Sequence, residues 1–138
     1  MNSNHPDTPR GNILVVDDTP DNLRLLSILL TRQGYEVGKA LNGYMALTAA
    51  KTARPDLILL DISMPEMNGY EVCEQLKADN QTREIPVIFI SALDDVWDKV
   101  KAFTVGGVDY ITKPFLEDKL LKIVEEVIET NSLNPASM

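Results

Sequence analysis

A doubly wound α/β fold around a five-stranded parallel sheet is what this chain predicts, and three observations carry the prediction. First, apolar runs alternate with stretches of helical periodicity along the chain, among them Ile13–Val16, Leu57–Leu60, Val87–Ile90 and Tyr110–Thr112. Buried parallel strands read as short continuous apolar runs, and strict alternation with helices covers both faces of a parallel sheet. Second, the chain has 138 residues, enough for one domain and little more. Third, each of those runs ends in residues suited to phosphate chemistry: Asp17-Asp18, Asp61, Ser91 and Lys113. Ligands of open α/β sheets bind outside the carboxyl ends of the strands. Three carboxylates, a hydroxyl and an ammonium are therefore expected along one edge of one sheet.

Each element follows from local chemistry. Met1–Gly11 reads as a flexible tail, with the folded domain expected over residues 12–130. The first strand is Asn12–Asp17. Thr19-Pro20 opens a helix with proline at its first position, where the missing N–H costs nothing. Leu23, Leu26 and Leu30 mark its buried face, and Gly34 closes it. Tyr35–Ala40 is a second strand. Asn42-Gly43 starts an alanine-rich helix that stops before Arg54-Pro55. Asp56–Leu60 is the third strand, followed by the loop Ile62–Asn68 and a helix over Gly69–Asp79. The fourth strand, Val87–Ile90, leads to a helix over Asp94–Val105 that ends at Gly106-Gly107. A short fifth strand, Asp109–Thr112, precedes the last helix. There Leu120, Ile123, Val124, Val127 and Ile128 recur at helical spacing. Asn131–Met138 reads as a second flexible tail.

Composition excludes several classes of function. Hydrophobic residues make up 44%, enough for a core and against global disorder. With 21 Asp+Glu against 13 Lys+Arg, the net charge of -8 repels nucleic acid phosphates, and no basic cluster offsets it. Direct binding to DNA or RNA is not expected. The single cysteine, Cys73, reads as a small core residue on a helix face. No run approaches the ~18 apolar residues of a membrane span. Met1–Arg10 lacks the apolar core of a signal peptide, so a cytoplasmic location is expected. The only histidine, His5, falls in the first tail, and no ATP-binding loop is visible. A phosphoryl group would have to come from another protein or a small phosphodonor.

Such clustered carboxylates serve a metal, share a proton, or splay into water, and a hard divalent cation fits best here. Two of them ~4 Å apart repel by ~4 kcal/mol at an effective dielectric near 20. A hard divalent cation offsets that cost, and few protein ligands leave octahedral positions of Mg²⁺ open to substrate oxygens. An aspartate can also attack phosphorus to give an aspartyl phosphate. Asp61 stands alone on its strand and is the natural nucleophile, with Asp17 and Asp18 as metal holders. Lys113 can neutralise a phosphoryl oxygen and Ser91 can donate a hydrogen bond to one.

Four motifs in order, Leu14–Asp18, Leu60–Gly69, Ile90–Ala92 and Asp109–Phe115, resemble the receiver domain of bacterial two-component response regulators over roughly Asn12 to Ile128. The resemblance implies a flavodoxin-like (βα)5 fold with strand order 2-1-3-4-5. It implies that Asp61 accepts a phosphoryl group from a sensor histidine kinase or a phosphotransfer protein. Asp18 and Asp61 would ligate Mg²⁺ directly, with Asp17 nearby or acting through water and the Ser63 backbone carbonyl completing the set. Lys113 matches the family's lysine, before a cis Lys113-Pro114 bond, and Ser91 its switch hydroxyl. Tyr110 matches the switch aromatic, and the output face would be the fourth helix, fifth strand and fifth helix. The resemblance places Ser63 and Leu93 at positions that in this family tune the loss of phosphate.

Trp97 lies on that face beside the stripe Val96, Val100 and Phe103, where edge-of-core packing and partner contact are both open. A downstream protein target and a phosphorylation-dependent homodimer are the partners implied, and no separate substrate turnover is expected. Two rival readings fit the residues less well. An aspartyl-phosphate phosphatase of the haloacid dehalogenase type usually has a second Asp where Ser63 stands. A flavin module would not place Asp17-Asp18 against a phosphate.

Overall fold

The structure is a computed structural model that describes residues 9–132. Residues 1–8, with His5 among them, and 133–138 of the expected tails lie outside the described residues. Among the described residues five strands and five helices alternate. They are β1 (Asn12–Val16), α1 (Pro20–Arg32), β2 (Glu36–Ala40), α2 (Gly43–Ala53), β3 (Leu57–Leu60), α3 (Gly69–Ala78), β4 (Val87–Ser91), α4 (Val96–Thr104), β5 (Asp109–Thr112) and α5 (Glu117–Ser132). All pairings are parallel, in the order β2-β1-β3-β4-β5. This is the flavodoxin-like order that the resemblance implies.

The period-two geometry of the strands divides the core in two. Leu14, Val16, Ile58, Leu60 and Phe89 face one side, where Ala46 and Ala50 of α2 and Val72, Cys73 and Leu76 of α3 cover them. Ile13, Val15, Leu57, Leu59, Ile88 and Ile90 face the other, under Leu26 and Leu30 of α1 and Leu120, Val124 and Ile128 of α5. Strands β3 and β4 are buried along their whole length, which is why they read as unbroken apolar runs.

Register aligns the strand ends. Val16 pairs with Leu60, Leu60 with Phe89, and Ser91 with Thr112. The residues that follow β1, β3 and β5 therefore emerge on one edge beside Ser91. Helix starts are fixed locally. The Asn42 side chain accepts from Met45 N, and Asn68 and Glu71 form a reciprocal capping box. Gly34, at φ 94°, takes the left-handed conformation that ends α1.

Three expectations are refined. Arg10 and Gly11 belong to the fold: Arg10 N donates to Gly34 O, and its guanidinium pairs with Glu125 and lies 5.0 Å from the Tyr35 ring centroid. Glu36 N donates to Gly11 O at 2.9 Å. Helix α5 runs on through Asn131 and Ser132, past the expected boundary. Helix α4 starts at Val96 with Asp95 as its cap, rather than at Asp94, and only Ala102 is buried along it. The stripe Val96, Val100 and Phe103 faces outward, and Trp97 is 74% exposed, which removes the edge-of-core reading. Periodicity marks a face without saying which way it points. On α4 the residue that joins the core is Ala102, in the same cluster as Tyr70, whose hydroxyl donates to the Asp98 carbonyl at 3.0 Å.

Candidate functional site

The acidic pocket forms where β1 and β3 end. Asp17 and Asp61 are buried while Asp18 is exposed, and one ligand oxygen from each lies within 4.8 Å of the others. Asp17 and Asp18 are the first two residues past β1; Asp17 is buried at the edge and Asp18 is open to solvent. Asp17 is fully engaged. Its Oδ1 accepts Thr19 N at 2.9 Å, and its Oδ2 accepts Lys113 Nζ at 2.9 Å and Asn22 Nδ2 at 3.2 Å.

Lys113 also reaches Asp61 Oδ1, at 3.9 Å. In this state its ammonium is bonded to Asp17 and only near Asp61. The Lys113-Pro114 bond is cis, as the resemblance implies. Burial pushes the Asp61 carboxyl up to about 6, with Lys113 and the Ile62 N–H opposing and the Asp17 and Asp18 charges adding to the rise.

The β3–α3 loop brings α3 hard against Asp61. A Cβ at Gly69 would stand 2.3 Å from the Asp61 carbonyl oxygen, so only glycine fits. The loop is closed by Gly69 N donating to Ile62 O at 2.9 Å. Ser63 is exposed at its outer turn. Ser91 is buried, and its Oγ accepts Leu93 N at 3.2 Å. Tyr110 is half-buried, with its hydroxyl donating to the Leu93 carbonyl. Burial raises the Tyr110 phenol and the neighbouring Ser91 hydroxyl opposes the shift. Ser91 and Tyr110 thus meet at the β4–α4 loop.

The structure brings Asp17, Asp18, Asp61 and Lys113 together, sets Ser91 and Tyr110 at one margin, and leaves Trp97 away on α4. Asn22 was missed by sequence reasoning. Its signal was an amide five residues after an aspartate, across a helix start. Beside Lys113 a groove of about 510 Å³ runs between Leu25 and Leu29 of α1 and Pro114 and Phe115.

Fold and site define a parallel α/β domain whose carboxyl edge holds a triad of carboxylates with one lysine. The chain belongs to the response regulator receiver domain family, whose model matches residues 13–125. Response regulator PleD of Caulobacter vibrioides is 48% identical over 109 residues, which are 79% of this chain and 24% of PleD. This chain therefore spans about a quarter of that relative. The receiver domain of a signal transduction histidine kinase from Syntrophus aciditrophicus superposes with TM-score 0.83 at 36% identity, over 90% of this chain and 94% of that one. The receiver domain of sensor histidine kinase PA1611 from Pseudomonas aeruginosa, with a magnesium ion coordinated in its active-site cleft, gives TM-score 0.80 at 30% identity. That match covers 86% of this chain and 98% of the other. Among the described residues no helix is long and apolar enough to cross a membrane.

Proposed function

We propose that this domain takes a phosphoryl group onto Asp61 from a phosphohistidine of a sensor kinase or phosphotransfer protein, and that the aspartyl phosphate resets α4, β5 and α5. The observation that carries the reading is the convergence of Asp17, Asp18 and Asp61 within 4.8 Å, with the Lys113 ammonium 3.9 Å from Asp61.

The donor set fits Mg²⁺. All three side chains offer hard oxygens, and the burial that raises Asp61 is the cost a divalent cation would offset. Asp18 and Asp61 would hold the ion, with Asp17 behind them and the exposed Ser63 turn offering its carbonyl. When bound, the cation neutralises the carboxylates and the incoming phosphoryl oxygens. The rest belongs to the chain. With a carboxyl pKa of about 6, Asp61 is mostly ionised at neutral pH and ready to attack. Its oxygen forms the new P–O bond as the N–P bond breaks, and the imidazole nitrogen keeps the electron pair and takes up a proton. Lys113 stabilises the charge on the transferred group, and Ser91 turns its hydroxyl toward it.

Tyr110 shares the Leu93 segment with Ser91, so movement of one releases the other. That couples the modification to α4, a two-state element biased by a local charge. The outward Val96, Trp97, Val100 and Phe103 are then the contacts for a downstream protein or a second copy. Incubation with Mg²⁺ and a small phosphodonor, followed by intact-mass measurement, tests the acceptor. A single phosphoryl adduct is expected, lost in Asp61→Ala. An adduct that survives Asp61→Ala would place the acceptor elsewhere.

A further inference from the structure

We infer that Asn22 is a positioning residue that holds the Asp17 carboxylate in place while Lys113 transfers from Asp17 to the phosphoryl group. The inference rests on the phosphoacceptor reading above and extends it to a residue outside the carboxylate and lysine set.

The geometry poses a specific difficulty. Lys113 is bonded to Asp17 at 2.9 Å and stands 3.9 Å from Asp61. As the ammonium turns toward a phosphoryl group on Asp61, it shares or loosens its bond to Asp17. Asp17 is 1% exposed, and a buried carboxylate that loses its cation is left with a large desolvation cost unless other donors remain. Two do remain. Thr19 N is fixed on Oδ1 by the backbone. On Oδ2, the oxygen Lys113 would vacate, the remaining side-chain donor is Asn22 Nδ2 at 3.2 Å.

An amide suits that position. It donates a hydrogen bond without bringing a charge, so it does not compete with a cation at the neighbouring carboxylates. Asn22 is in the first turn of α1, where Pro20 and the bond from Asn22 N to Thr19 O fix the backbone. The amide therefore stays while the flexible lysine moves. Side chains that orient a metal-binding carboxylate typically carry tenfold or more in metal affinity.

The test combines two measurements on the whole chain. Calorimetry gives the Mg²⁺ Kd of the wild type and of Asn22→Leu, which keeps volume and removes the donor. A weakening of about tenfold is expected. Urea unfolding of the metal-free wild type, Asn22→Leu, Lys113→Met and the double variant forms a cycle. The Asn22 loss is expected to cost more once Lys113 is gone, because both donors serve one oxygen. A role confined to starting α1 would give an additive cycle. A Kd within twofold of the wild type, or an additive cycle, overturns the inference. If Asn22→Leu does not fold, Asn22→Ala is measured against the same criteria. A wild type that binds no Mg²⁺ and gains no phosphoryl adduct would instead overturn the phosphoacceptor reading itself.

Discussion

Asp61 is an expensive residue for the resting domain. Its carboxyl is raised from 3.8 in the open chain to about 6 in the fold, mainly by burial, with Asp17 and Asp18 adding to the rise and Lys113 opposing it. Between those values the folded state keeps a proton that the unfolded state has lost. Stability from this group is therefore present below 3.8, falls as pH rises to about 6, and is flat above. The cost at neutral pH is roughly 2–3 kcal/mol, at ~1.4 kcal/mol per pH unit. Asp61→Asn is expected to raise the urea midpoint of the metal-free protein near neutral pH and to lose that advantage near pH 4. An equal gain at both pH values would contradict a protonation origin. The residues of the pocket were legible because carboxylates at strand ends have few other reasons to converge. Asn22 was not, because an amide in a first helical turn looks the same whether or not it bonds an aspartate five residues back.

Among the elements, the β3–α3 join is the tightest. Gly69→Ala would drive a methyl into the Asp61 carbonyl, where the gap is 2.3 Å. The variant is expected to lose about 2 kcal/mol or more of stability and to take up phosphate slowly, read by urea unfolding and by the rate of adduct formation. The buried face of helix α5 was legible, since Leu120, Val124 and Ile128 do face the core, but its end was not. Helix α4 was legible as a helix but not in its orientation. Val96, Val100 and Phe103 carry the same spacing that a core-facing stripe would, and spacing does not tell solvent from sheet. Tyr70 contacts the helix from α3: its hydroxyl donates to the Asp98 carbonyl at 3.0 Å and its ring centroid lies 4.7 Å from Lys101 Nζ. Those contacts come from a helix nearly 30 residues earlier.

At the scale of the whole molecule, alternation of strand and helix made the layers predictable, whereas strand order came from family resemblance alone. Period-two patterns are identical for any order of buried parallel strands. The aligned ends of β1 and β3 bring three carboxylates together, and a cation held there would tie the two strands together. Mg²⁺ is accordingly expected to stabilise the wild type by about 2.7 kcal/mol at a hundred times its Kd. Asp18→Ala and Asp61→Ala should show little of that gain in thermal melts with and without the ion. A full gain in either variant would remove that residue from the ligand set.

Trp97 has an optical consequence. It is the chain's only tryptophan and is 74% exposed on α4. Emission excited selectively at the indole, away from the four tyrosines, therefore reports this one surface. The free domain is expected to fluoresce at the long wavelengths of a hydrated indole, open to collisional quenchers. A blue shift with loss of quenching on adding phosphodonor or a partner would show that surface being covered, with no label attached. An unchanged spectrum during complex formation would place the contact on another side of the domain.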